Sequence, residues 1–308
     1  MIYTITFNPA IDLIYRLQDD LYPGQLNRSQ NEDYIMGGKG LNASLLLKRL
    51  GHDTVATGFL AGFTGDFIKQ ELTRLGIKPY FITVEGTTRI NAKVKGQDET
   101  EINGAGPEIH PENVQALIDY LQAELTSDDV VFLAGNKGLG MSQADYVAIA
   151  QLSHQVGAKL VLDSNADLLT SCLEYHPFII KPNQDELNEI FDCQVSSQSD
   201  VIHYAKRLQD MGAKHVLVSL GGKGSILVTE QGQILAANAP KGQVINSTGA
   251  GDSMLAGFIG QYLDNGSLED SLRQGAASGS ATAFSTGIAG AKAVEQLKAQ
   301  IKITEIGE

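Results

Sequence analysis

The sequence predicts an α/β protein: a doubly wound, mostly parallel sheet with helices on both faces, plus a small β-sheet lid. Three observations predict it. Short, continuously apolar runs alternate with longer stretches of helical periodicity; glycines close the helical stretches; and two segments break the rhythm. A strand covered on both faces has no wet side, so unbroken apolar runs between helices indicate parallel pairing.

Along the chain, helical stripes occupy residues 41–50, 67–75, 146–156 and 201–211. Gly51, Gly76, Gly157 and Gly212 follow them, each able to close a helix in the left-handed conformation. Apolar strands come next, at 54–59, 80–84, 159–162 and 215–220, with further runs at 130–134 and 178–180. Residues 11–35 carry no helical stripe, and residues 87–104 read as two alternating strands, Arg89–Lys95 and Glu99–Asn103, joined by Gly96-Gln97-Asp98. A lone hairpin is marginal in water, so its Ile/Val stripe favours burial in a small sheet with strands from 11–35 over a long surface loop. Such a sheet would cap the main domain or pair with a second subunit.

The 308 residues include 23 Lys+Arg against 36 Asp+Glu, a formal charge of −13. No run of Lys/Arg offsets it, which argues against nucleic acid or an anionic membrane as partner and leaves small anionic substrates, which need only a few local cations. Cys172 and Cys193 make no framework and no metal spacing, and the six histidines are scattered. With no signal-like start and no membrane-length apolar run, the expectation is a soluble, cytoplasmic protein.

The most informative segment is Asn246-Ser247-Thr248-Gly249-Ala250-Gly251-Asp252-Ser253, where a loop of small residues opens an apolar helix. Unpaired amides and the macrodipole at such a start hold an anion without a lysine. Asp252 is there either a helix cap or a general base beside the anion hole. Gly37-Gly38-Lys39-Gly40-Leu41-Asn42 also leads into a helix, as either a tight turn or a site for hydroxyls or phosphate. Both Gly-Lys pairs are followed by glycine, so neither is a nucleotide P-loop. Ala277-Ser278-Gly279-Ser280-Ala281 lacks the first glycine of a hydrolase nucleophile elbow. Lys181-Pro182-Asn183 ends a strand and places Asn183 and Glu186 one helical turn apart, while Ser219-Leu220-Gly221-Gly222-Lys223-Gly224 follows another. For each of these a plain cap or turn is the alternative.

In order, Asn8-Pro9-Ala10-Ile11-Asp12, Gly37 to Asn42, Lys181 to Glu186 and Gly249 to Asp252 resemble the motifs of the ribokinase/PfkB family of sugar kinases across essentially the whole chain. Thr88 to Asn91, Asp98 to Gly104 and Gly106-Pro107 look most like bacterial 1-phosphofructokinases, with tagatose-6-phosphate kinases close. The resemblance implies one ribokinase-like domain over 1–308, with lid segments at about 11–35 and 87–104. It implies ATP-dependent phosphorylation of a ketohexose phosphate at a hydroxymethyl group, with fructose 1-phosphate to fructose 1,6-bisphosphate as the leading expectation. A tagatose-6-phosphate kinase, or a sugar-phosphate-binding regulator that has lost catalysis, is the alternative.

The resemblance further implies that Asp252 is the base and that Gly249, Ala250 and Gly251 form the anion hole. Asp12, Gly37, Gly38, Lys39 and Asn42 would enclose the sugar, with Asn103 and Asn136 as further substrate contacts, and Arg89, with Lys39, would hold its phosphate. Lys181, Asn183 and Glu186 would organise ATP and Mg²⁺, Glu186 acting indirectly on the metal, and Ser219, Leu220, Gly221, Gly222, Lys223 and Gly224 would line the nucleotide site. A homodimer through the lid is expected. One departure stands out: where the family has Gly-Ser-Leu/Ile-Pro this chain reads Gly135-Asn136-Lys137-Gly138, with Lys137 either reaching a phosphate or facing solvent.

Overall fold

Every residue of Ile2–Thr6, Thr54–Leu60 and Val130–Ala134 is buried, which places these three runs side by side in the middle of a sheet. The computed structural model describes residues 1–307; the last residue of the expected domain, Glu308, lies outside them. The chain runs β1 (Ile2–Thr6), β2 (Ala10–Leu17), β3 (Ser29–Gly37), α1 (Lys39–Arg49), β4 (Thr54–Leu60), α2 (Gly62–Arg74), β5 (Lys78–Thr83), β6 (Arg89–Lys95) and β7 (Glu99–Asn103). It continues through α3 (Pro111–Glu124), β8 (Val130–Ala134), α4 (Gln143–Val156), β9 (Lys159–Asp163), α5 (Ala166–Ser171), β10 (Ile179–Ile180), α6 (Gln184–Phe191), α7 (Gln198–Asp210) and β11 (His215–Ser219). It ends in β12 (Ser225–Val228), β13 (Ile234–Ala237), α8 (Ala250–Asn265), α9 (Leu268–Ala283), α10 (Ala291–Lys298) and β14 (Ile303–Glu305).

Ten strands pair in the order β14-β13-β12-β11-β10-β9-β8-β1-β4-β5. All ladders from β5 to β11 are parallel, and β11 to β14 pair antiparallel. Alternate residues of one strand feed opposite faces. Tyr3 and Ile5 pack with Leu117 of α3, Ile149 of α4 and Leu208 of α7, whereas Ile2, Val130 and Phe132 pack with Leu46 of α1, Phe258 of α8 and Leu272 of α9. Helices therefore cover both faces, as the continuous apolar runs required.

The two irregular segments make a second sheet, ordered β3-β2-β6-β7. Its root is apolar: Ile11 and Met36 pack against Leu41 of α1, Leu60 of β4 and Ile68 of α2. The four closing glycines all have positive φ, Gly157 at 82° in the left-handed region. Helix α2 begins at Gly62, ahead of the stripe that marks it, because its first turn is held by polar contacts: the Thr64 hydroxyl donates to the Thr88 carbonyl at 2.8 Å. Among the described residues no helix is long and apolar enough to cross a membrane, and both cysteines are free.

Candidate active site

Parallel strands all end on the same side, so their carboxyl-end loops gather there. Thr6 at the end of β1, Asn8 just beyond it, Gly135 to Lys137 beyond β8 and Asn165 beyond β9 line a cavity of about 1070 Å³, with the lid, the start of α1 and the start of α8 as its other walls. Asp12, Gly37, Gly38, Lys39, Asn42, Arg89, Asn136, Glu186, Gly249 and Asp252, separated by up to 240 positions in the chain, all line it.

Helix α8 starts without a side-chain cap, its N-cap Gly249 at φ 79°. The Ala250 N–H turns back to the Ser247 carbonyl at 3.1 Å. The amides of Gly249, Gly251 and Asp252 find no partner among the described residues. The donors available to an anion are thus these three, and not the Ala250 amide that the motif suggests. Asp252 does not cap the helix. Its carboxylate accepts from Asn42 Nδ2 at 2.8 Å, and burial, reinforced by the charge of Asp163, raises its pKa to about 6.

Asp163, at the carboxyl end of β9, is 1% exposed and faces two ammonium groups, Lys39 Nζ at 3.1 Å and Lys181 Nζ at 3.6 Å. Burial opposes its ionisation, but Lys181 and Lys39 outweigh it and hold the carboxyl below its ordinary range. Burial likewise opposes the Lys39 charge; Asp163 and then Asp252 overcome it, so its pKa is raised.

In the lid, Asp12 accepts from Asn91 Nδ2 at 2.9 Å, and Lys93 Nζ lies 3.4 Å from both Asp12 and Glu101. A Cβ at Gly37 would come within 3.2 Å of Asp12 Oδ2, so the glycine leaves room for this carboxylate. Arg89 Nε donates to the Asn8 carbonyl at 3.1 Å.

The remaining expected residues are placed differently. Asn183 is the N-cap of α6 in a reciprocal box, its Oδ1 accepting from the Glu186 amide and Glu186 Oε2 from the Asn183 amide, each at 2.8 Å. Glu186 still lines the cavity, and burial raises its carboxyl pKa. Lys181 is buried against Asp163 beneath Gly251, not in the lining. The turn from Ser219 to Gly224 does not contribute to this cavity; Leu220 and Lys223 line a separate depression of about 500 Å³. Asn103 sits on the exposed edge strand β7, outside the lining.

Sequence reasoning did not single out Asp163, Asn91, Lys93 or Lys95. A signal for the last three was there: in a strand, Arg89, Asn91, Lys93 and Lys95 share one face, and all four line the cavity. Asp163 follows an apolar strand at its carboxyl end, a position that favours ligand contact, but its pairing with Lys39 and Lys181 is purely tertiary.

Among the described residues no cluster of His, Cys, Asp and Glu forms an all-protein metal cage. The arrangement combines a carboxyl of raised pKa, an uncapped helix start and clustered ammonium groups. It can take a proton from a hydroxyl while neutralising charge on a transferred anionic group.

Residues 5–293 match the model of the pfkB family carbohydrate kinases. A 1-phosphofructokinase of Bacillus subtilis is 42% identical over 306 residues, covering 99% of this chain and 100% of the relative. A D-tagatose-1-phosphate kinase of Bacillus licheniformis is 39% identical over 307 residues, covering 99% and 100%. A Staphylococcus aureus crystal structure described as a candidate phosphofructokinase superposes with a TM-score of 0.90 at 41% identity, covering 100% of both chains.

Proposed function

The chain belongs to the pfkB family of carbohydrate kinases, and on that premise we propose that it transfers the γ-phosphoryl group of ATP to fructose 1-phosphate, giving fructose 1,6-bisphosphate. The observation that carries the reading is Asp252, a carboxylate with raised pKa set in the first turn of an uncapped helix and facing the cavity between lid and main domain.

In this mechanism Asp252 removes the proton of the C6 hydroxyl as that oxygen attacks phosphorus. Asn42 holds the carboxylate in place through its 2.8 Å hydrogen bond. The free amides of Gly249, Gly251 and Asp252 receive charge from the moving phosphoryl group, and Lys39 adds a positive charge nearby. Asp12 binds sugar hydroxyls, steered by Asn91 and Lys93, and Arg89 binds the sugar phosphate from the lid side. Phosphoryl transfer needs positioning and charge neutralisation more than covalent catalysis, and these residues supply both.

Mg²⁺ characteristically takes one or two carboxylates together with nucleotide phosphates and water. Glu186, with one oxygen held by the Asn183 amide and its carboxyl on the cavity wall, fits a metal of that kind and would hold it with Asn183 as the residue that fixes its orientation. The ion, when bound, neutralises phosphate charge.

The 39% identical relative gives a specific reason to weigh a second substrate, tagatose 1-phosphate; the tagatose kinase expected from the motifs alone was one for the 6-phosphate. The same base and anion hole serve either ketose. Coupled ADP release with fructose 1-phosphate, tagatose 1-phosphate, tagatose 6-phosphate and fructose 6-phosphate ranks them by kcat/KM. The highest value is expected for fructose 1-phosphate; absence of ADP release with every sugar phosphate refutes the kinase reading and leaves a binding regulator.

The homodimer through the lid is part of the proposal. Tyr34, Ile35 and Ile102, 58%, 40% and 65% exposed, lie on the small sheet, whose outer strands β3 and β7 have free edges. Free strand edges beside exposed apolar side chains are a template for pairing.

A further inference from the structure

A second cavity, of about 450 Å³, lies where the end of α1 and the residues just after it meet the last turns of α8, the first half of α9 and helix α10. Of its lining, only Arg49 also lines the active cavity. Gln274 of α9 distinguishes it from an ordinary surface depression: this side chain is 6% exposed, lines the cavity and has no hydrogen bond among the described residues. A buried amide without a partner costs folding free energy, and a ligand that enters the cavity would satisfy it.

The surrounding donors are also unclaimed. Helix α10 has no side-chain cap at Gly290 and no acidic residue in its first turn. The amides of Ala291 and Lys292, both on the lining, find no partner among the described residues. That first turn therefore offers N–H groups together with the positive end of the helix dipole. Three permanent cations line the same cavity, Arg49, Lys292 and Lys298, and none has an ion-pair partner among the described residues. Arg49 uses Nη1 alone, toward the carbonyls of Ile288 and Ala289, which leaves its other nitrogens available. Lys298 donates to an uncharged acceptor, Gln261 Oε1, at 3.1 Å. The carboxylates on the lining are Asp264, 3.7 Å from His52 Nε2, and Glu295. Three cations that converge without carboxylate partners, in a chain of formal charge −13, make a local site for an anion.

We propose that this cavity binds a small phosphate-bearing anion, with the phosphate held by Arg49, Lys292, Lys298 and the first amides of α10, and with the Gln274 amide donating to it. A phosphate accepts several charged and amide donors at once, as this set requires, where a carboxylate has only two oxygens to offer. The cavity is larger than a free phosphate ion needs, and Asp264 and Glu295 can accept hydroxyls, so the ester of a small polyol fills it more completely. The proposal does not depend on which sugar phosphate the active cavity takes.

Calorimetric titration with inorganic phosphate and with glycerol 3-phosphate, each without nucleotide, tests it in the wild-type protein, Lys292→Gln/Lys298→Gln, Gln274→Leu and Arg89→Gln. Removing two charge-assisted contacts raises Kd about tenfold or more in the double variant, while Arg89→Gln, which alters only the active cavity, keeps it within about twofold. Gln274→Leu weakens binding about threefold or more and leaves the Tm of the unliganded protein unchanged or higher, because the unpaired amide is gone. A tighter Kd for glycerol 3-phosphate identifies a phosphate ester as the ligand, and a value no tighter than that of inorganic phosphate identifies free phosphate. Weakening confined to Arg89→Gln places the anion in the active cavity and overturns the inference. So does a Gln274→Leu protein that melts lower yet binds as wild type does, or the absence of binding of both probes below about 10 mM. ATP turnover of the double variant is expected to equal that of wild type, since neither lysine lines the active cavity.

Discussion

Asp252 is asked to be ionised while buried, and its surroundings set how far that can go. Burial and the Asp163 charge raise its pKa to about 6, against the pull of Lys39 and the Asn42 hydrogen bond. A base with that value is largely ionised at neutral pH yet more proton-avid than an ordinary carboxylate. We therefore expect kcat/KM to fall as pH drops through about 6, and replacement of Asp163 by Asn to move this acid limb to lower pH by removing a like charge. An unmoved limb would assign it to another group. Asp252→Asn should keep sugar-phosphate binding, read by calorimetry, while kcat falls on the order of 10³-fold. The stability sign runs the other way. With its folded pKa raised, Asp252 contributes stability in full below its ordinary 3.8 and loses it as pH rises through about 6. Asp252→Asn should accordingly melt no lower than wild type at pH 8, a dead enzyme that is no less stable.

At the scale of elements, the base depends on how α8 meets α9, because α8 carries Asp252 on its first turn. The two helices approach closely at glycines: a Cβ at Gly257 would lie 2.3 Å from Ser278 Oγ, and one at Gly275 2.7 Å from the Met254 carbonyl. Ser278, set in an apparent near-miss of a hydrolase motif, is a seam residue. Gly257→Val should lower Tm, by about 1–3 kcal/mol of stability, and reduce kcat by tilting α8; an unchanged melting curve would show that the seam can spread without cost. Helix ends and apolar strands were legible in the chain because capping glycines and unbroken apolar runs are local signals. The capping box at Asn183 and Glu186 was legible as a spacing but not as a role, since one spacing serves a cap or a ligand. The start of α2 was not legible, because its first turn is stabilised by Thr88, which is distant in sequence.

At the scale of the whole molecule, the lid's outer edges and exposed apolar residues lead to one more expectation. Ile102→Asp should shift a dimer to monomer in analytical ultracentrifugation, whereas a wild-type protein that sediments as a monomer would remove the lid interface from the proposal. The formal charge of −13 also takes its meaning at this scale. The cations that meet anionic substrates are gathered in one cavity, where Lys39, Arg89, Lys93 and Lys137 converge from three different stretches of chain, so the net acidity is no obstacle. By itself, the sequence determined the fold class, the two sheets and the family's motif residues, because periodicity, glycine punctuation and short motifs act over a few neighbouring residues. Only the tertiary structure decided that Asp163 joins Lys39 to Lys181, that the Ala250 amide is already occupied, and that the turn from Ser219 to Gly224 lies outside the main cavity. Charge pairing and burial depend on which strand ends the sheet brings side by side, and no local pattern encodes that.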